Sequence, residues 1–166
     1  MSLNLDPLQS PDFPIVAQLA ERIWRSHYAA IIPMAQIDYM LAGRYTPERL
    51  STYLGSDRRW MQILRREGEP VGYCSYALTD QPGEMKLEQL YLLPELHGQG
   101  LGGLMLDHVE TAAKARGCTT LLLTVNKRNE GSIAVYRKRG FTLREEAVFD
   151  IGQGYVMDDY VMAKAL

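Results

Sequence analysis

The sequence has little of what several classes of protein require. Only two of its 166 residues are cysteines, Cys74 and Cys118, and no Cys-x-x-Cys spacing occurs, so neither a disulfide framework nor a zinc site is indicated. No apolar run approaches the roughly 18 residues that span a bilayer, and residues 1–12 lack the basic start and apolar core of a signal peptide. We therefore expect a cytoplasmic protein that binds no metal and does not enter a membrane.

An excess of basic charge is also missing. Lys and Arg number 18 against 20 for Asp and Glu, which gives a formal net charge of −2, so a nucleic-acid partner is not expected. What is present is typical of a folded globular protein: 46% hydrophobic residues, 23% charged residues and no low-complexity tract. The length fits one domain that covers residues 1–166.

Helical patterns come first along the chain. Apolar residues recur at helical spacing from Ile15 until Pro33 interrupts the pattern, which predicts one amphipathic helix. Two shorter helices are predicted over residues 33–41 and 47–54, each followed by a glycine. We thus expect a helical layer before any strand.

The pattern changes at Trp60 to strand-like runs separated by short turns. Residues 60–66, 71–79 and 85–93 predict an antiparallel meander of three strands. The rest of the chain predicts a helix over 104–116, a strand over 119–125, a short helix over 132–139 and a hairpin over 141–149 and 155–165. The strand over 119–125 is apolar without alternation, so it should be buried on both faces and parallel to the strand that ends at Leu93.

Four glycines follow the third strand of the meander, at positions 98, 100, 102 and 103. A strand that runs into a glycine-rich turn at the start of a helix points several N–H groups at one place, where the helix dipole adds positive potential. This arrangement can hold a phosphate. A plain turn at a helix start remains an alternative, although glycine destabilises a helix by about 1 kcal/mol relative to alanine.

The same glycines also satisfy the G-x-G-x-x-G expression of dinucleotide-binding folds. Such a fold needs an acidic residue at the end of the next strand to hold the ribose. Here that strand ends at Val125 and is followed by Asn-Lys-Arg. The antiparallel meander leaves no room for a second βαβ half, so the context disfavours this interpretation.

The order of elements resembles the GNAT superfamily of acyl-CoA-dependent N-acetyltransferases. Its pyrophosphate loop, Q/R-x-x-G-x-G/A, reads His-Gly-Gln-Gly-Leu-Gly from His97, which departs from the usual Gln or Arg. Its N-x(6)-Y-x-x-x-G-F segment reads from Asn129 through Tyr136 to Phe141. The resemblance implies an α/β fold, with a mixed central sheet, an antiparallel N-terminal meander, splayed parallel central strands, a C-terminal hairpin and helices on both faces.

The resemblance also implies acetyl-CoA as co-substrate and assigns residues to it. The main chain of Leu92 and Leu93 would pair with the amide arm in the gap between the splayed strands. Asn129 would contact the arm, and Tyr136 would lie near the sulfur. The phosphate cradle would consist of His97, Gly98, Gln99, Gly100, Leu101, Gly102 and Gly103.

Two residues are candidates for proton transfer. A phenol with a pKa near 10 is protonated at neutral pH, so Tyr136 can act as the general acid for a leaving thiolate, unless it only packs the short helix onto the sheet. Glu88 lies where some family members carry a catalytic base, with a solvated carboxylate as the alternative. Strict alternation would group Glu88 with Leu90 and Leu92 on one face of the strand.

Charge is divided between two neighbouring segments. Residues 127–144 carry six basic residues and one acid, which suits CoA phosphates, whereas residues 145–159 carry five acids and no Lys or Arg, which suits a cationic acceptor. Asp158 and Asp159 lie on opposite strand faces, so one of them should point inward. His27 and Tyr28 on the first helix are candidates for the acceptor wall, and core packing is their alternative.

The sequence therefore predicts acetyl transfer from acetyl-CoA to a primary amine, by direct attack in a ternary complex. A small amine or a polyamine is the expected acceptor, because residues 31–45 and the closing segment resemble bacterial polyamine acetyltransferases. A protein N-terminus or lysine is the alternative acceptor. A non-catalytic acyl-CoA-binding module is the alternative of another class. The terminal hairpin is a candidate for pairing in a homodimer.

Overall fold

A computed structural model describes residues 2–166. The described chain contains seven strands: β1 (Leu3–Pro7), β2 (Arg59–Arg66), β3 (Glu69–Leu78), β4 (Glu84–Leu92), β5 (Thr120–Asn126), β6 (Thr142–Gly152) and β7 (Tyr155–Ala165). It also contains five α-helices: α1 (Phe13–His27), α2 (Met34–Arg44), α3 (Pro47–Ser51), α4 (Leu101–Ala115) and α5 (Glu130–Lys138).

All seven strands form one mixed sheet in the order β1-β2-β3-β4-β5-β7-β6. Strands β1 to β4 are antiparallel, β4 and β5 are parallel, and β7 lies between β5 and β6 as the inner strand of the C-terminal hairpin. The predicted α/β class and the order of meander, parallel pair and hairpin are confirmed.

Strand β1 is an element that the sequence analysis missed. It pairs antiparallel with β2, from Leu3 opposite Arg66 to Pro7 opposite Gln62. Asp6 and Pro7 are poor strand formers. Pairing with β2 therefore decides the conformation of this segment, and the meander has four strands instead of three.

Two helices begin or end at residues other than those that the sequence predicted. Helix α1 ends at His27, six residues before the expected boundary at Pro33, and α4 begins at Leu101 instead of 104. The buried residues of α4 are Leu101, Met105, Leu106, Val109 and Ala113, whereas Leu104 is 37% exposed.

The two central parallel strands separate. Their pairing runs from Glu84 opposite Thr120 to Leu87 opposite Leu123 and stops there, although β4 continues to Leu92 and β5 to Asn126. The separation leaves a V-shaped gap in the middle of the sheet, as the resemblance implied.

Helices cover both faces of the sheet next to this gap. The ring of Trp24 in α1 lies 5.5 Å from the ring of Tyr91 in β4, and Tyr76 in β3 bonds His108 in α4 from the other face. Within residues 2–166, no helix is both long enough and apolar enough to cross a membrane.

Candidate functional site

The main chain of Leu92 borders the gap. The N–H of the next residue, Leu93, donates to Val71 O at 2.9 Å, on the β3 side, and the carbonyl of Leu93 accepts from Leu96 N–H at 3.0 Å. Because neighbouring residues of a strand point their N–H and C=O in opposite directions, those of Leu92 face the β5 side. Both main-chain groups of Leu93 have a partner within the protein, although its carbonyl oxygen can accept a second hydrogen bond. The main-chain groups of Leu92 are the ones that face the gap, and pairing of either residue with a ligand stays a prediction.

The side chain of His97 reaches back to this strand edge. Its Nε2 lies 3.2 Å from Leu92 O. A carbonyl oxygen only accepts, so Nε2 carries the hydrogen. The residue that departs from the family pattern thus contacts β4 through its side chain.

The glycine loop has the backbone that a phosphate cradle requires. Gly98 and Gly100 adopt positive φ angles of 81° and 82°, and a Cβ at either position would meet no protein atom within 4 Å. Gly100 directly precedes α4, and the first N–H groups of a helix have no intrahelical acceptor. The loop therefore offers free N–H donors on an open surface, which fits a diphosphate.

Asn129 begins α5 and uses both ends of its side-chain amide within the protein. Its Oδ1 accepts from Ser132 N–H at 3.3 Å, and its Nδ2 lies 3.0 Å from His27 Nε2. Burial, and secondarily the charge of His97, lowers the pKa of His27. His27 is thus neutral and accepts from Asn129, so the structure places this predicted acceptor residue beside a predicted cofactor residue.

Tyr136 on α5 is half-buried and packs edge-to-face on Phe141, with ring centroids 5.7 Å apart. Burial raises the pKa of Tyr136 well above its ordinary value, and Tyr91 adds to the shift. The hydroxyl is therefore protonated at neutral pH, which a proton donor requires.

A β-bulge decides where Glu88 points. Leu87 pairs with Tyr76 and Gln89 pairs with Ser75, so Glu88 is the extra residue on β4. Glu88 Oε1 lies 3.5 Å from the Tyr53 hydroxyl, and Gln89 Nε2 donates to the same hydroxyl at 3.3 Å. Glu88 therefore shares a face with Gln89, and the grouping with Leu90 and Leu92 that strict alternation gave is wrong.

The two adjacent aspartates of β7 lie on opposite faces, as predicted. Asp158 is on the outer face, where it pairs with Lys127 Nζ at 2.9 Å, so it does not reach the gap. Asp159 is 5% exposed, and its Oδ1 has no hydrogen-bond partner in residues 2–166. Burial, with a contribution from Asp158, raises the pKa of Asp159 to about 6. The inward-pointing residue is Asp159.

This geometry has counterparts in known proteins. The acetyltransferase (GNAT) family matches residues 18–141, which include the gap, the glycine loop and Tyr136. The chain belongs to the GNAT acetyltransferase family. It is thus an N-acetyltransferase that uses acetyl-CoA, and the open loop and the gap-facing main chain of Leu92 fit that co-substrate.

Three similar proteins share most of their length with this GNAT acetyltransferase. An IAA acetyltransferase of Azospirillum brasilense is 29% identical over 82% of each chain. A spermidine N(1)-acetyltransferase of Thermoplasma acidophilum is 24% identical over 87% of this chain and 91% of its own. The crystal structure of the PaiA N-acetyltransferase of Thermoplasma acidophilum with coenzyme A covers 100% of both chains, with a TM-score of 0.86 and 21% identity.

The basic residues of this GNAT chain contribute less free charge to the cofactor side than the sequence implied. Lys127, Arg139 and Arg144 each pair with a carboxylate at 3.0 Å or less. Within residues 2–166, Arg137 and Lys138 are the members of segment 127–144 that lie on α5 and have no carboxylate partner. A cation that the sequence analysis missed comes from β2, where Arg66 donates to Gln99 Oε1 of the glycine loop at 3.0 Å.

The guanidinium of Arg128 connects the helical layer of the GNAT chain with the end of strand β5. Arg128, between β5 and α5, donates to the carbonyls of Ala30 at 2.9 Å and Ile31 at 2.5 Å. The connection between α1 and α2 is thereby attached to the end of β5. No local pattern could have indicated this contact, because the partners are almost a hundred residues apart in the chain.

A network of aromatic hydroxyls lines the α1 face beside the gap. Tyr45 OH lies 2.6 Å from Tyr73 OH and donates to Gln89 Oε1 at 2.6 Å, and Tyr28 OH lies 3.0 Å from Tyr91 OH. Burial raises the pKa of all four phenols, so they are neutral. Tyr28 is buried and belongs to this wall, whereas the roles of Tyr45, Tyr73, Gln89 and Tyr91 were missed. The ten tyrosines of the sequence were the available signal.

Proposed function

We propose that this GNAT enzyme transfers the acetyl group of acetyl-CoA directly to the primary amine of a small amine or polyamine. The observation that carries the proposal is the end of β4–β5 pairing after Leu87 and Leu123. The resulting gap has free strand edge on one side, and the charged and hydroxyl-bearing face of β4 and β7 lies next to it. Donor and acceptor can therefore meet there in a ternary complex.

The main chain supplies the binding of the co-substrate. The N–H and C=O of Leu92 hold the amide arm, and the N–H groups of residues 98–103 hold the diphosphate. When bound, acetyl-CoA supplies a thioester carbonyl that an amine can attack and a thiolate that can leave. The Tyr136 hydroxyl holds the proton that a leaving thiolate requires.

Glu88 is the candidate that removes a proton from the amine. Arg59 Nη2 lies 3.1 Å from Glu88 Oε1, and Tyr53 approaches the same oxygen, so two side chains fix the orientation of the carboxylate. Glu88 is half-buried beside the gap. A positioned carboxylate can accept the proton directly or through one water molecule.

Direct attack is favoured over an acyl-enzyme because the cysteines are unsuited to nucleophilic catalysis. Cys74 is fully buried in β3, and burial raises its pKa to about 12. Burial also raises the pKa of Cys118. Thiols that stay protonated are poor nucleophiles, so neither is equipped to carry the acetyl group.

The acceptor class is supported by charge and by one relative. Asp159 is an inward-pointing carboxylate without a partner, which suits a cationic group. The spermidine N(1)-acetyltransferase of Thermoplasma acidophilum is a relative with a polyamine substrate in its name. The carboxylate suits any cationic amine, and the relative favours one of low molecular weight over a protein N-terminus.

A screen of acceptors with acetyl-CoA tests the proposal by measuring released thiol. Alkylamines, diamines, spermidine, amino acids and short peptides with free N-termini form the panel, and reactions without an amine give the background. We expect turnover with one or more small amines. Turnover with peptides alone would show that the acceptor is a protein N-terminus or lysine instead of a small amine. Calorimetry that detects no binding of CoA would contradict the proposal as a whole.

A further inference from the structure

Two groups of opposite charge beside Tyr91 have no oppositely charged partner. Asp159 is 5% exposed and its Oδ1 accepts no hydrogen bond in the described chain. Arg44, the last residue of α2, is half-buried, and no carboxylate of residues 2–166 lies within 4 Å of its guanidinium. The two groups are therefore not paired with one another.

Both groups lie on the face of the sheet that α2 covers. Arg44 is the last residue of α2, and Gln36 Nε2 on the same helix lies 3.5 Å from Met157 Sδ on β7. Asp159 follows Met157 by two residues, so its side chain is on that same face. The charges of Arg44 and Asp159 shift the pKa of Tyr91 in opposite directions, which agrees with this placement. Arg44 also lies over the Trp24 ring, 5.3 Å from its centroid, which fixes the guanidinium on the acceptor wall. An unpaired charge in a partly buried place is unfavourable, and a ligand that meets both charges would remove both penalties.

The other charges on this face add a cation. Glu88 is already paired with Arg59, whereas the half-buried Lys86 has no carboxylate within 4 Å in the described chain and acts on Asp159 together with Arg44. Two cations and one anion are thus available to a ligand. A second ammonium group of a polyamine would meet Arg44 and Lys86 and be repelled.

Arg44 also lines a cleft next to α2. The cleft has a volume of about 480 Å³ and contains two arginines and no carboxylate. Its lining residues are Tyr39, Met40, Ala42, Gly43, Arg44, Arg49 and Ile151. A guanidinium in such a cleft binds a carboxylate through two parallel hydrogen bonds.

We propose that the acceptor is a zwitterionic amine, in which Asp159 binds the amine end and Arg44 binds a carboxylate, with Arg49 beside it. The inference rests on the proposed function and selects, among small amines, those with an anionic group. Of the two acceptor classes in the proposed function, it keeps the small amines and excludes the polyamines, because their second ammonium group would meet Arg44 and Lys86. The carboxylate end would lie in the cleft beside α2, and the amine end would lie at the gap between β4 and β5.

Matched acceptors that differ only at the far end test this inference. The series is 4-aminobutanoate, butylamine and 1,4-diaminobutane, together with the three-carbon equivalents, and the readout is kcat/KM from released thiol. We expect the amino acid to exceed butylamine about tenfold or more, as loss of a charged hydrogen bond implies. The diamine should be the poorest acceptor. A diamine that exceeds both others would overturn the inference.

Variants separate a binding role from a structural one. Arg44→Gln should lower the ratio of kcat/KM for 4-aminobutanoate to kcat/KM for butylamine about tenfold, with Arg44→Lys in between. Arg116→Gln is the matched control, because Arg116 stacks on Trp60 on the other face of the sheet. An equal loss for both acceptors in Arg44→Gln would overturn the assignment of Arg44.

Calorimetry distinguishes this inference from the proposed function. If no amine releases thiol, the proposed function fails. Binding of 4-aminobutanoate to the CoA-loaded protein, abolished in Arg44→Gln, would still support the carboxylate site. Absence of such binding, with turnover of amines that carry no anionic group, would overturn the inference and leave the proposed function standing.

Discussion

The Nε2 atom of His97 lies 3.2 Å from the carbonyl oxygen of Leu92. A side chain of the glycine loop therefore occupies the strand edge at which we propose that the amide arm of CoA binds. We expect binding of that arm to Leu92 to displace the imidazole, so that the hydrogen bond lost lowers the affinity for CoA. This relationship gives His97 an effect on binding that its position in the loop alone would not suggest.

Replacement of His97 by alanine should tighten the binding of CoA. A hydrogen bond of this kind contributes about 1 kcal/mol net, which corresponds to roughly a fivefold change in Kd. Calorimetric titration of both proteins with CoA measures the change. His108→Ala is the control, because His108 lies in the middle of α4, where it is hydrogen-bonded to Tyr76 of β3. Weaker binding in His97→Ala would show instead that the imidazole contacts the cofactor.

Replacement of Tyr136 by phenylalanine should slow turnover and leave CoA binding intact. The buried hydroxyl keeps its proton at neutral pH, so its loss removes a general acid and should lower kcat by about a hundredfold or more. Tyr76→Phe removes a phenol that is hydrogen-bonded to His108 within the protein and serves as the control. If kcat is unchanged while stability falls, Tyr136 acts only in packing.

Asp159 should make stability depend on pH in a defined direction. Its pKa is raised from 3.8 to about 6, so the ionised carboxylate destabilises the native protein. Below about pH 4 the carboxyl group is neutral in both the native and the unfolded state, so it does not affect stability. The free energy of unfolding decreases as the pH rises from about 4 to about 6, and the full decrease is reached above pH 6. Asp159→Asn should therefore be more stable than the original by up to about 3 kcal/mol at pH 8, with no advantage near pH 4.

Urea unfolding of both proteins between pH 4.5 and 8 checks this expectation. Asp158→Asn is the matched control: it lies on the outer face and pairs with Lys127, so its replacement should give no gain at high pH. A difference in the free energy of unfolding between Asp159→Asn and the original that does not change with pH would contradict the prediction.

Two glycine substitutions should have opposite effects on stability. A Cβ on Gly72 would lie 2.7 Å from the carbonyl oxygen of Tyr91, so Gly72→Ala must displace the backbone of β4 and should destabilise the protein by about 1–3 kcal/mol. A Cβ on Gly43 in α2 would meet no atom within 4 Å, so Gly43→Ala should stabilise it by about 0.5–1 kcal/mol. Urea unfolding of the two variants measures both, and a similar loss in each would contradict the argument from close approach.

The parts of the site that follow from local sequence were predictable. The glycine loop and the segment from Asn129 to Phe141 lie within short stretches of chain, and the faces of Asp158 and Asp159 follow from strand alternation. The GNAT fold and the gap between β4 and β5 followed from the resemblance. In each case the information is carried by neighbours in the chain.

The parts that depend on distant partners were not predictable. The bulge at Glu88 arises from its pairing with β3, and it reversed the face on which the carboxylate lies. Strand β1 forms because its main chain pairs with β2, which is distant in the sequence. The lack of a partner for Arg44 is visible only when every neighbour in space is known. Residues that we propose for acceptor choice thus escaped the sequence analysis more often than residues that we propose for phosphate binding.

The two hydrogen bonds from Arg128 to the carbonyls of Ala30 and Ile31 limit how the enzyme can adapt to its acceptor. Both hydrogen bonds must break before the connection between α1 and α2 can move away from the end of β5. An acceptor that requires such a movement would therefore bind more weakly, by about 1 kcal/mol for each hydrogen bond lost.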